Sequence, residues 1–298
     1  MAILTGINTH LRGSAGDWTF SRQGGKTVAK QKIEAKATPT RSYAQMKRRV
    51  KWGNLVNVYR SFEGNLHPSF ESRKAGVSDF NEFVSSNIDG TAVYLTKDVA
   101  RQGGAVVAEY IITRGTLPSI EISVSGNTAS TDISLGGLSA VDATTTVANF
   151  SAAIVQNNTG YEYGDQLTFF LARQEVNSTT GVPYVRVESS EVTLSTSTEL
   201  LGSVAQLTGF GVNGGMLGMS TQADGAVAWV HSRRSGGKTK VSTQLMRLVG
   251  STPTDYSTEA ALSAAILSYG GTNKEDYLTP NPTEDLAAAE EGGEDQNP

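Results

Sequence analysis

The tetrapeptide Gly-Gly-Lys-Thr occurs twice, and of all the short motifs in the chain it is closest to one with known chemistry. It ends "SRQGGKT" at residues 21–27 and returns in "SRRSGGKT" at residues 232–239. A phosphate-binding loop has the form Gly-x-x-x-x-Gly-Lys-Ser/Thr, because the first glycine lets the loop curl around the phosphates. Phe20 and Ser232 stand where that first glycine is required. We therefore expect both copies to form tight β-hairpin turns, in which a Gly-Gly pair supplies positive φ angles.

Other residue types that could do chemistry are few or scattered. The three histidines, none at a spacing typical of a metal site, are His10, His67 and His231. His231 falls in a strand-like run, which favours a structural role. Two acidic pairs fall in a strand end and in the C-terminal tail: Glu188 with Glu191, and Glu290 with Glu291. With no Gly-x-Ser-x-Gly motif either, the sequence predicts no catalytic residue, no metal and no cofactor, and a protein that is not an enzyme.

Composition restricts the class of protein. The chain has 298 residues, 38% of them apolar, with 32 glycines and no cysteine. Disulfides and cysteine-ligated zinc are thereby excluded, and the glycine content favours a turn-rich β protein. No apolar run approaches the roughly 18 residues of a membrane span, and "MAILTGINTH" does not resemble a signal peptide. We expect a protein that is made in the cytoplasm.

Charge is segregated along the chain. Residues 1–74 contain fourteen Lys and Arg against four Asp and Glu, whereas residues 275–298 contain eight Asp and Glu and no Lys or Arg. A basic head and an acidic tail on one chain indicate either an anionic partner for the head or contacts between the head and tail of different copies.

The first third of the sequence predicts a hairpin followed by a basic helix. "GDWTFSRQGGKTVAKQKIEAK" places Trp18, Phe20 and Val28 around the Gly-Gly turn. After Pro39, "TRSYAQMKRRVKWGNLVNVYRSFEGNL" has apolar residues at helical spacing and a Thr or Ser at its start. The exposed side of this helix is expected to contact a partner through Lys47, Arg48, Arg49, Lys51 and Trp52.

The remaining segments predict an α+β fold. "VSDFNEFVSSNI" reads as a second helix, capped by Ser78. Six runs then alternate in the manner of strands, at residues 105–115, 119–126, 166–176, 183–194, 226–234 and 238–249. Further helices are predicted near residues 145–156 and just before the tail. The glycine-rich segment at residues 209–220 is interpreted as a β-turn connection, with a loop that inserts into a neighbour as the alternative.

Three regions follow from these patterns. Residues 1–95 form a basic hairpin and helical region, and residues 96–272 a mostly antiparallel β-sandwich or half-barrel. Residues 273–298 form an acidic tail with little to bury, predicted to be disordered or ordered by a partner. The tail is expected to lie on a neighbouring copy or adjacent protein, with three apolar anchors: Tyr277, Leu278 and Leu286.

The N-terminal third also resembles a family. "LRGSAGDWTFSRQGGKTVAKQKIEAKATPTRSYAQMKRRVKWGNLVNVY" is similar to an uncharacterised family of Bacteroidota and their phages, and to structural proteins of crAss-like phages. The likeness covers about residues 6–90 and continues loosely into "GDQLTFFLARQEV" and "GAVAWVHSRRSGGKTKVSTQLMRL". The resemblance implies a virion component of the neck or tail that assembles as a ring with copies of itself and with portal, neck or tail proteins.

Two further functions compete with this expectation. The basic helix, residues 43–60, could bind nucleic acid through phosphates, with Trp52 and Tyr59 interleaved among the cations. A hydrolase acting on polysaccharide would require carboxylates and aromatic residues in a groove, and the chain has three tryptophans. The structural virion protein accounts best for the scarcity of chemistry and the segregated charge together.

Overall fold

The structure is a computed structural model that describes residues 2–4, 12–23, 26–31, 42–62, 65–66, 69–71, 73, 76–220, 224–250 and 256–270. Antiparallel sheets with helices packed on them confirm the predicted α+β class. The helices are α1 (Tyr43–Ser61), α2 (Asp79–Asn87), α3 (Lys97–Arg101), α4 (Val147–Asn157), α5 (Leu201–Val204) and α6 (Glu259–Leu267). Among the described residues, no helix combines the length and apolar character needed to cross a membrane.

The strands form four sheets within the described residues. In chain order they are β1 (Ala2–Leu4), β2 (Gly13–Ala15), β3 (Trp18–Gln23), β4 (Lys26–Gln31), β5 (Ile111–Thr113), β6 (Ile122–Ser125), β7 (Thr128–Ser134), β8 (Gln166–Val176), β9 (Pro183–Thr193), β10 (Gly211–Asn213), β11 (Met216–Gly218), β12 (Gly225–Ser235), β13 (Lys238–Val241), β14 (Gln244–Leu245) and β15 (Arg247–Val249). The N-terminal sheet has the order β1-β4-β3-β2, the second sheet β10-β11-β7-β6, and β14 pairs with β5. The central sheet has the order β13-β12-β8-β9, and β15 pairs with the other end of β12.

Both Gly-Gly-Lys-Thr copies lie at hairpins, as predicted. In the first, Gln23 pairs with Lys26 across β3 and β4. In the second, Ser235 pairs with Lys238, and the turn residues Gly236 and Gly237 have φ of 58° and 75°. Two consecutive positive φ angles define the turn type whose twist matches the flanking strands. At residues 236–239 the tetrapeptide therefore forms a hairpin turn. A strand follows it, whereas a helix follows a phosphate-binding loop.

The caps of the helices agree with the sequence. Every helix except the short α5 begins after a Ser or Thr whose hydroxyl accepts a hydrogen bond from the backbone N–H three residues later. The capping residues are Ser42, Ser78, Thr96, Thr146 and Thr258. The predicted start of the basic helix and the predicted cap of the second helix are both confirmed.

The central sheet is buried on both faces. On β8 and β12, the residues directed to one side share a core with α4 and the second sheet: Leu167, Phe169, Leu171, Val227 and Trp229. The residues directed to the other side share a core with α1 and α2: Phe170, Ala172, Ala226, Ala228 and Val230. The second core crosses the boundary predicted between residues 95 and 96, because Leu55 and Val58 of α1 pack on strands of the β-rich region. The division into domains stays a prediction.

The strand predicted over residues 105–115 is wrong for residues 105–110. β5 covers Ile111–Thr113. Before it, the Ala105 N–H donates to the Pro183 carbonyl of β9, and other backbone groups of residues 105–107 bond to side-chain amides. Asn54 of α1 accepts from the Val106 N–H at 2.8 Å and donates to its carbonyl at 3.3 Å. Gln174 of β8 accepts from the Val107 N–H at 2.8 Å and donates to the Ala105 carbonyl at 3.1 Å.

The same pairing recurs further along the chain. Asn87, at the end of α2, accepts from the Ile111 N–H at 2.8 Å and donates to its carbonyl at 2.9 Å. Gln244 bonds to both backbone groups of Ile120, and Asn158 to both of Ser134. A carboxamide has one donor end and one acceptor end, so it can replace the two bonds that a neighbouring strand would supply. Buried backbone groups are thus satisfied without a ladder.

The run predicted as one strand over residues 238–249 is three short strands. β13 pairs with one end of β12 and β15 with the other, while β14 between them leaves the central sheet to pair with β5. The glycine-rich segment at residues 209–220 forms the β10–β11 hairpin, with Gly214 and Gly215 at positive φ between the strands, which confirms the β-turn interpretation. β7 was not predicted because "TASTDIS" is polar.

The first prediction concerns the amide pairing. Asn54→Ala should lower the free energy of unfolding by about 1–3 kcal/mol, because the buried Val106 N–H loses its partner, while the Val106 carbonyl still accepts from the Tyr110 hydroxyl. Asn149→Ala, an exposed position on α4, is the matched control and should stay within about 0.5 kcal/mol. Urea unfolding checks both variants. Equal effects at the two positions would contradict a structural role for Asn54.

The second prediction concerns the lysines beside the hairpin turns. Because both copies lie between paired strands, Lys26→Ala and Lys238→Ala should leave nucleotide binding as in the parent, with no saturable binding of ATP or GTP. Equilibrium titration with a fluorescent ATP analogue checks this. Saturable binding in the parent that disappears in either variant would refute the hairpin interpretation.

Candidate partner-binding groove

A groove of about 640 Å³ lies between α1 and α2. The two helices run antiparallel: Tyr59 of α1 packs on Phe80 and Phe83 near the start of α2, with ring centroids 5.2 and 5.4 Å apart. At the other end, Lys51 Nζ donates to the Asp89 carbonyl at 3.4 Å. The lining residues are Gln45, Arg48, Arg49, Trp52, Asn81, Val84, Ser85, Ile88 and Asp89.

Two faces of α1 pack on the rest of the protein, and the third is left at the surface, where the groove opens to solvent. One face packs on α6 through Met46 and Val50. A second packs on the central sheet through Leu55 and Val58. The third face contains the groove residues Gln45, Arg48, Arg49 and Trp52. Each arginine is three or four residues from Gln45 and from Trp52, so all four lie on one side of the helix.

The indole of Trp52 is the largest apolar group in the groove. Trp52 is 49% exposed, whereas Trp229 is fully buried and donates to the Gly209 carbonyl. Val84 of α2 and the nearly buried Ile88, which directly follows α2, form the apolar part of the other wall, while Arg48 and Arg49 provide cations on the α1 side. A half-exposed tryptophan beside arginines is the composition typical of protein contact surfaces.

The groove contains cations and one acidic residue, Asp89. Arg48 approaches Asp89 at 3.8 Å, with both side chains largely exposed. Such a pair contributes little to stability. Burial lowers the pKa of Lys51, and the positive charges of Lys47 and Arg48 lower it further, while Asp89 opposes the shift. Neighbouring cations thus outnumber the acid that faces them, and the α1 side of the groove favours an anionic group.

The sequence predicted the α1 half of this site and missed the α2 half. Of the expected contact residues, Arg48, Arg49 and Trp52 line the groove; Lys47 is exposed on the same helix and Lys51 is half-buried beside Asp89. Tyr277, Leu278 and Leu286 lie outside the described residues. The residues on the α2 side were not predicted, because the sequence does not show how α1 and α2 pack against each other.

The chain also contains a buried ionic network at the start of β8. His231 Nε2 lies 2.8 Å from Asp165 Oδ2, and the two residues are 1% and 2% exposed. Arg233 donates to both oxygens of Asp165 at 2.6 and 2.7 Å, and Tyr161 stacks on the imidazole at 4.4 Å. This burial agrees with the structural role expected for His231. The network links Asp165, in the loop before β8, to His231 and Arg233 of β12.

Protonation in this network is set by burial and hydrogen bonds. Burial lowers the pKa of His231, although Asp165 opposes that shift. Burial alone would raise the pKa of Asp165, but hydrogen bonds from Arg233, the Glu162 N–H and His231 outweigh it and lower the pKa. The folded state therefore holds a neutral His231 against an ionised Asp165. Within the described ranges, no group of three or more His, Asp or Glu residues could hold a metal ion.

Comparison of the chain with protein-family models, with curated proteins and with solved structures finds no match. The groove and the network are therefore interpreted from their own residues.

The third prediction follows from the lowered pKa of His231. In the unfolded chain the histidine has a pKa of about 6.5, so acid protonates the unfolded state first and favours unfolding. The stability that neutral His231 contributes is present above that pH and is lost as the pH falls below it. The free energy of unfolding should therefore decrease between pH 7.5 and 5, and the decrease should be smaller in His231→Gln. Urea titrations across this range would contradict the account if both proteins showed the same decrease.

Proposed function

We propose that the chain is a structural component of a bacteriophage virion, a ring protein of the neck or tail whose copies join through the α1–α2 groove. The observation that carries the proposal is the half-exposed Trp52 set among Arg48, Arg49 and the apolar side chains of α2. The resemblance of the N-terminal third to crAss-like phage structural proteins is the reason for proposing a phage particle as the assembly. The protein is made in the host cytoplasm and ends in the virion.

The mixed character of the groove favours a protein partner. Contact sites with large contributions to binding are rich in tryptophan and arginine and lie around apolar pockets. Val84 and Ile88 provide such an apolar wall, and Arg48 and Asp89 stand at the rim, where charge orients a partner more than it holds it. Copies of the chain and adjacent portal, neck or tail proteins are the proposed partners. The function requires no catalysis and no cofactor.

Nucleic-acid binding by residues 43–60 is the second candidate. The observation that favours it is the lowered pKa of Lys51. Burial is the largest cause, and the positive charges of Lys47 and Arg48 lower the pKa further, so cations are close together on this helix. A phosphate backbone would meet that field along an exposed basic stripe. Arg48 and Arg49 instead share a groove with apolar residues of α2, and this arrangement supports a protein contact first.

The fourth prediction separates these functions. Reversing Lys47, Arg48 and Arg49 to Glu should strongly reduce incorporation of the protein into particles, measured as copies per particle. Arg60→Glu is the control, because Arg60 is exposed on the same helix outside the groove, and it should assemble as the parent does. Thermal unfolding verifies that both variants fold.

The opposite outcome is equally specific. If the parent binds duplex DNA with an affinity that falls steeply with salt, and the triple variant loses that binding but still assembles, the nucleic-acid function replaces the proposed one.

A further inference from the structure

We infer that the groove between α1 and α2 binds the acidic C-terminal tail, residues 275–298, of a second copy of the chain. The inference rests on the proposed function, since a groove that joins copies must receive a segment of another copy. Two features of the chain identify that segment: its chemistry and the place where it leaves the fold.

The tail has the chemistry that the groove selects. It carries eight Asp and Glu and no Lys or Arg, whereas the α1 side of the groove carries Arg48 and Arg49 beside Lys47. Tyr277, Leu278 and Leu286 are the tail's large apolar residues, and Trp52, Val84 and Ile88 are the apolar residues of the groove. A single exposed ion pair contributes little, so each apolar anchor matters more than any one acid. The eight acids acting together on the cations of α1 are nevertheless required for binding.

The described part of the chain ends beside the helix that forms the groove. α6 packs on α1, and Tyr269 approaches so closely that a side-chain carbon at Gly53 would meet its hydroxyl at 2.6 Å. The described chain ends one residue later, at Gly270. Gly270, the last described residue before the tail, therefore follows a helix that packs on α1, one of the two helices of the groove.

The length of the tail allows it to leave its own subunit. Twenty-four extended residues span about 80 Å at roughly 3.3 Å per residue. A compact chain of this size has a radius of gyration of about 19 Å. A tail from one copy in the groove of the next is a contact between two different surfaces, and such head-to-tail contacts close into rings when the rotation between copies permits.

The test uses the full-length chain carrying Trp18→Phe. Trp229 is fully buried, so acrylamide quenching of the fluorescence then reports chiefly on Trp52. Quenching and mass by sedimentation are measured together over a range of protein concentrations. A matched variant has the eight tail acids replaced by their amides. We expect quenching of Trp52 to decrease as the mass rises in the parent, and both changes to be lost in the amide variant.

A charge exchange between the groove and the tail distinguishes loss of the contact from misfolding of a variant. Arg48→Glu with Arg49→Glu should abolish the protection of Trp52, and replacing tail acids by Lys in the same chain should restore it. Restored protection together with restored mass supports the contact, whereas no restoration overturns it.

Two results would overturn the inference while leaving the proposed function in place. Protection of Trp52 that does not vary with concentration, in a protein with the mass of one chain, would mean that the tail occupies the groove of its own subunit. A mass that rises equally in the parent and in the amide variant, with Trp52 protected in both, would mean that another segment fills the groove. Failure of the proposed function itself would be seen separately, as normal incorporation into particles after charge reversal on α1.

Discussion

Pairing of side-chain amides with buried backbone is the interaction on which the rest of the structure depends. Asn54 of α1 holds both backbone groups of Val106, and Asn87 of α2 holds both backbone groups of Ile111. The two helices are therefore fixed to points five residues apart on one extended segment. Because that segment packs in the same core as the central sheet, the amides set the position of α1 against α2. The groove has its width because of bonds formed on the opposite side of both helices.

Buried hydrogen bonds thus hold both helices of the groove. Asn54 and Asn87 are 1% and 5% exposed, and breaking either pairing would take a hydrogen bond from a buried backbone N–H, that of Val106 or of Ile111. A preformed surface loses little conformational entropy when it binds. Affinity between the groove and the tail is expected to come from a few anchoring side chains and not from contact area.

Much of this fold follows from the sequence because local signals agree with tertiary packing. Ser42 and Ser78 cap the helices, the Gly-Gly pairs mark hairpins, and the apolar spacing of α1 identifies its buried side. The strand predicted at residues 105–110 failed because alternation shows that a segment is buried and does not show which groups will bond to its backbone. Glycine is unfavourable inside a helix, yet Gly53 leaves room for Tyr269, whose hydroxyl would lie 2.6 Å from a side-chain carbon at that position. The α2 half of the groove could not be predicted, because it depends on how two helices pack.

The account places assembly at the basic end of α1, where two lysine amines flank the groove. The most direct test is carbodiimide cross-linking, which joins amines to carboxylates in contact, on a mixture of unlabelled and ¹⁵N-labelled protein in the assembled state. Mass spectrometry then separates links between copies from links within one copy. The account predicts that Lys47 or Lys51 is joined to a carboxylate of a different copy. Links between copies that occur elsewhere, with Lys47 and Lys51 joined only to their own chain, would contradict it.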